Sequence, residues 1–150
     1  MVNRRFDDEP STKGPFFPIV VSTSVFDPLN STTYYFATAN APAGTVATGR
    51  RELFPWPGRV VGVHLHIAIA GLGTGELFTA SLRINNSIDY AIDTFPSNLG
   101  IQLIASTVID TTPIEVTATN IFEVKLVAPS TGTPATGMLL WGQIKLGPPS

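Results

Sequence analysis

The chain has 150 residues, a net charge of −2 and no cysteine. It is one domain's length, enough to bury a core. Apolar residues make up 43% and charged residues only 13%, about half the usual share of charge. This excludes a disordered polyelectrolyte. With no basic cluster beyond the pairs Arg4-Arg5 and Arg50-Arg51, it also excludes a nucleic-acid partner.

The absence of cysteine removes disulfides and thiolate chemistry. The first ten residues hold no apolar run, so no signal peptide is predicted. No stretch approaches the ~18 apolar residues of a membrane span. The expectation is a soluble protein made in the cytoplasm, with no membrane partner. So little charge also implies that part of the surface is covered by something else, or that Ser and Thr supply its polarity.

Residues 1–30 differ from the rest. Six charged residues crowd into residues 1–13, and Pro10, Pro15, Pro18 and Pro28 punctuate the segment. Proline fixes φ and offers no N–H, so it serves poorly inside a helix or a central strand. The segment is predicted to be an extended N-terminal arm, with Phe6, Phe16 and Phe17 as apolar anchors. Residues 31–150 are predicted to form the folded domain.

From residue 32 onward the apolar pattern has period two, the signature of strands with one buried face. Strands are predicted over 32–39, 59–70, 77–84, near Tyr90, and over 101–109, 114–119, 121–128 and 138–146. In the second of these, Val61, Val63, Leu65, Ile67 and Ile69 share one face, and His64, His66 and Ala68 the other. Turn formers stand between them: Asn85-Asn86, residues 96–100, 110–113 and 129–137. No segment carries a helical period. About eight short strands with turns every 8–14 residues predict an all-β fold, an antiparallel β-sandwich of jelly-roll type.

Candidate chemistry is sparse. The run from Gly58 to His66, a glycine and then His64-Leu65-His66, resembles the opening of the first cupin motif. Two His at i and i+2 on a strand point the same way and are the weak metal candidates of this chain. The resemblance then fails: Ala70 and Gly71 stand where a Glu is wanted, and the chain has only 2 His. The expectation is no metal, no cofactor and no enzyme. Gly71-Leu-Gly-Thr-Gly75 lacks the following helix a phosphate cradle needs and is predicted to be a hairpin loop. No nucleophile elbow occurs, and the acids are scattered.

The aromatic residues suggest contacts instead. Trp56, between Pro55 and Pro57, is held rigidly, either as a plug for the end of the sandwich or as an exposed anchor for a partner or a sugar. Tyr34, Tyr35 and Phe36 place aromatics on both faces of one strand, which suits a strand buried on both sides, as at a subunit interface.

The stretch from Leu53 to Asn85 resembles a pattern in small β-sandwich structural proteins of tailed-bacteriophage virions, of capsid-decoration or head-fibre type. A Pro-Gly turn (Pro57-Gly58) leads into Val-Gly-Val (Val61-Gly62-Val63). A Gly-Thr-rich loop then precedes a strand ending in a basic residue and Asn (Arg83, Asn85). The resemblance covers about a quarter of the chain and carries over no catalytic residue. It implies assembly as the function: a capsid decoration subunit, synthesised in the host cytoplasm and located on the virion's capsid surface. The partners it implies are the major capsid protein and further copies of the chain in a homotrimer. Phe6, Phe16, Phe17, Tyr34, Tyr35, Phe36 and Trp56 are its candidate contact residues. The alternative of another class is a fibre or baseplate module that binds a receptor or glycan through Trp56 or Tyr90.

Overall fold

The computed structural model describes residues 16–38, 43–46, 51–106 and 114–150. Ten strands occur in them: β1 (Phe17–Ser22), β2 (Thr33–Phe36), β3 (Glu52–Leu53), β4 (Gly58–Gly71), β5 (Leu77–Ile84), β6 (Ile88–Pro96), β7 (Ile101–Ser106), β8 (Ile114–Val116), β9 (Ile121–Val127) and β10 (Thr136–Gly147). One sheet has the order β1-β10-β4-β7, with β8 also on β4. The other has the order β2-β9-β5-β6, with β3 also on β9. All pairings are antiparallel. The sheets pack face to face as a β-sandwich, and no helix occurs among the described residues.

Alternation creates the core. Val63, Leu65, Ile67 and Ile69 of β4 and Met138, Leu140 and Ile144 of β10 point inward. They meet Phe78, Leu82, Phe122, Val124 and Leu126 of the facing sheet in one cluster. Each such side chain contributes about 1.5–3 kcal/mol on burial. Phe78 stacks on Phe95 at 5.1 Å within the core, and Phe54 packs on Phe122 at 4.7 Å.

β5 and β6 are the one pair of described strands that neighbour each other in both chain and sheet. The Ile84 carbonyl accepts a hydrogen bond from the Ser87 N–H at 3.2 Å across Asn85 and Asn86. Both asparagines have left-handed φ, 53° and 60°, as a tight hairpin turn demands. β2 and β3 share one sheet, as do β7 and β8, and the other connections change sheets. The loop 71–75, expected to be a hairpin, instead carries the chain from β4 in one sheet to β5 in the other. It is held where loops meet: the Gly73 N–H donates to the Ser97 carbonyl at 2.9 Å and the Thr74 N–H to the Thr133 carbonyl at 3.2 Å.

Two further expectations change. Residues 17–22, read as part of an arm, form edge strand β1, with Ile19 and Val21 in the core. Pro18 is tolerated there because an edge strand leaves one side of its ladder open. The chain after β1 is also tied in, by Thr23 N–H to Leu140 O at 2.8 Å and Phe26 N–H to Met138 O at 3.0 Å. Residues 1–15 lie outside the described residues, as do residues 107–109 of the expected 101–109 strand and the expected turn at 110–113. Second, Val61 is buried but sits outside the core cluster. Opposite Lys145 and Leu146 the register jumps from Gly62 to Val60. This β-bulge turns Val61 away from the side that Val63 and Leu65 face.

Candidate functional site

An apolar groove of about 420 Å³ opens on the surface of the sandwich. It is lined by Phe16, Phe17, Trp56, Pro57, Leu146, Gly147, Pro148 and Pro149. Three chain segments build it. β1 enters the sheet with Phe16 and Phe17 at its start. The Pro55-Trp56-Pro57 turn leads into β4, and the 147–150 segment leaves β10. The Trp56 ring meets Phe17 edge-on at 4.3 Å and 63°, a favourable quadrupole arrangement. The third wall is pinned by Arg59, whose Nε donates to the Pro148 carbonyl at 2.8 Å, and by the Ser150 hydroxyl on Glu115.

Trp56 remains 44% exposed, with Phe16 and Phe17 similarly open. It neither plugs the core nor stands alone. The lining holds no carboxylate, amide or hydroxyl side chain, so the groove offers dispersion contacts and the Trp56 indole N–H and little else. A second exposed apolar group, Leu72, Leu77, Leu99 and Ile101, lies at the other end of β4, whose 14 residues span about 46 Å at ~3.3 Å per residue.

The other sequence candidates part company. Tyr34 and Phe36 face the core. The Tyr34 hydroxyl accepts from the Leu29 N–H at 2.7 Å, and the ring packs on Phe26 at 5.0 Å. Tyr35 points to the outer side but is covered by this chain itself. Its backbone bridges Gly44 at 2.7 and 3.0 Å, and the Arg83 guanidinium lies 5.8 Å over its ring. All three are therefore buried within the subunit, which removes the interface expected from their two-faced pattern. Tyr90, opposite Leu82, packs against the core. Phe6 lies outside the described residues.

The two outer faces differ in charge. On the β2-β9-β5-β6 face stand Arg83, Asp89, Glu123 and Lys125. Asp89 bridges Lys125 at 2.6 Å and Arg83 at 3.6 Å. On the opposite face, β1, β10 and β4 present Val20, Ser22, Leu139, Trp141, Gln143, His64, His66 and Ala68, with Lys145 beside them. His64 and His66 share that face as expected, both half-buried. Burial first, then Lys145 and His66, holds the His64 pKa below the usual imidazole range. Among the described residues no group of three metal-ligating side chains assembles.

Sequence reasoning passed over Trp141 and Pro148-Pro149. The signal for Trp141 was present: within β10 it alternates with Met138 and Leu140 and falls on the side of Gln143 and Lys145. For the two prolines there was none, since they acquire meaning only beside Phe16 and Trp56. A scan against protein-family models finds no match to this chain, and a search of curated proteins finds none either.

Proposed function

We propose that this chain is a virion structural protein of bacteriophage type, a capsid decoration subunit that binds and stabilises the coat shell as a homotrimer. The observation that carries the reading is the apolar groove of Phe16, Phe17, Trp56 and Pro149. It lies exposed at the point where the N-terminal segment leaves the sandwich. Exposed aromatic anchors of this kind are what protein interfaces bury. The low charge, and apolar groups at both ends of β4, suit a subunit that bridges two neighbours. The phage assignment itself rests on the sequence resemblance between Leu53 and Asn85.

The strand orders support the finer, jelly-roll reading of the sandwich. With β2 and β3 taken as one rung and β7 and β8 as another, the two sheets interleave as successive rungs that cross between them. The subunit sits on the capsid surface, and its partners are the major capsid protein and its own copies. The groove favours an apolar or Pro-rich protein segment over a sugar, because its lining offers hydroxyl groups almost no hydrogen bonds. The test is mass measurement of the isolated protein, then co-sedimentation with empty capsids of its virus. A trimer that saturates the capsids at a fixed ratio supports the reading. A monomer that stays in the supernatant overturns it.

A further inference from the structure

On the outer face of β1, β10 and β4 lies a slot of about 250 Å³, lined by Val20, His64, His66, Trp141, Gly142 and Gln143. The register states how it is walled. Ser22, Trp141 and His66 stand in one row across the three strands; Val20, Gln143 and His64 stand in the next. Trp141 and His66 stack, with ring centroids 5.3 Å apart and planes within 11°. His66 thus backs one face of Trp141, which is itself 37% exposed. The facing row carries an amide and an imidazole. Gly142 lies between the rows and lines the slot with its backbone. No side chain fits there, because a Cβ would fall 1.9 Å from the His64 carbonyl oxygen.

The slot is thus amphipathic across its width: one aromatic row faces a row of two polar side chains and Val20. Its ionisation is simple as well. Burial, Lys145 and His66 favour neutral His64, so His64 and Gln143 each offer both a donor and an acceptor. No hydrogen bond within the described residues engages either side chain, and no carboxylate lines the slot to select a cation.

We propose that this slot binds a single neutral pyranose ring, its C–H face on Trp141 and its hydroxyls on Gln143 and His64. A pyranose has the same division, an apolar face of C–H groups and a rim of hydroxyls that both donate and accept. A flat nucleobase would leave the polar wall mostly unmatched along its length. One aromatic wall and two polar side chains make a weak site, with Kd on the order of 1 mM. Such a site gains useful strength only when several copies act together. The slot is separate from the groove at Trp56 and does not depend on the assembly reading.

The test uses the full chain labelled with ¹⁵N. Glucose, galactose, mannose and N-acetylglucosamine are titrated while the Trp141 indole and Gln143 amide signals are followed, with Trp56→Phe to assign the indoles. At least one sugar is expected to shift these signals saturably. Gln143→Ala is expected to weaken that sugar at least tenfold while leaving circular dichroism and capsid co-sedimentation unchanged. Trp141→Ala is expected to abolish binding. No saturable shift with any of the four sugars overturns the proposal. So does a shift that survives in Gln143→Ala, or saturation by adenosine alone.

Discussion

Arg83 and Glu123 stand directly opposite each other across β5 and β9, yet no hydrogen bond joins them. The guanidinium is committed elsewhere: its Nη2 donates to the Asn86 carbonyl at 2.6 Å, its Nη1 lies 3.6 Å from Asp89, and its plane covers Tyr35. Glu123 is only 1% exposed, and among the described residues both its carboxylate oxygens lack a hydrogen-bond partner, as do Arg83 Nε and Asn86 Oδ1. Burial pushes the Glu123 pKa up from 4.5 to about 7. Arg83 and Arg51 oppose the rise, and Asp89 adds to it.

A raised carboxyl pKa means that the folded state holds the proton more tightly than the unfolded state. The stability Glu123 contributes is therefore complete below about pH 4.5. It declines as pH rises towards 7 and is absent above that. Glu123→Gln never ionises, so it is expected to be more stable than the parent at pH 8. The gain is on the order of 2 kcal/mol, or roughly 4–8 °C in melting temperature, and shrinks towards zero at pH 4.5. Thermal melts of both proteins across that range read this directly. An equal offset at every pH would show that Glu123 does not titrate in the fold.

The groove makes a mutational forecast. Phe17 and Trp56 are partly exposed and pack edge-on at 4.3 Å, so Phe17→Ser with Trp56→Ser is expected to cost the sandwich about 2–3 kcal/mol and leave it folded. The same pair is expected to weaken capsid binding at least tenfold and to reduce the oligomer seen by light scattering. Unchanged capsid saturation would remove the groove from the interface.

The N-terminal segment can be separated from the sandwich at one place. Because Phe17 already belongs to β1, deletion must stop at residue 15. The truncated protein is expected to keep its circular dichroism and to bind capsids more weakly. It loses the charge cluster of residues 4–13 and Phe6, the contact residues proposed for that segment. Equal saturation by both proteins would show that the segment has no part in attachment.

Replacing His64 and His66 together with Gln is expected to leave folding and capsid binding intact. Both lie on the outer face of β4, away from the core, and two imidazoles without a carboxylate are too few ligands for a tight metal site. Elemental analysis of protein purified without chelator is expected to find no stoichiometric metal. One equivalent of zinc, iron or manganese would reverse this reading.

Much of the architecture was legible along the chain, because period-two alternation is a local consequence of strand geometry. Val63 to Ile69 read as one buried face and form one. Asn85-Asn86 read as a turn and make one, since asparagine tolerates positive φ. The shared face of His64 and His66 also follows from spacing alone. What the chain could not show was which strand each strand lies beside. Val61 continues the alternation in sequence, but a bulge opposite Lys145 and Leu146 rotates it out of the core. Gly71–Gly75 has hairpin composition but crosses between sheets, because strand order is decided by long-range packing and not by turn residues. Tyr35 has the look of an interface residue and is covered by Arg83 and Gly44 of its own chain. The apolar groove is the extreme case. Phe16, Trp56 and Pro149 are scattered along the sequence, and only the pairing of β1 with β10 and of β10 with β4 brings them to one place.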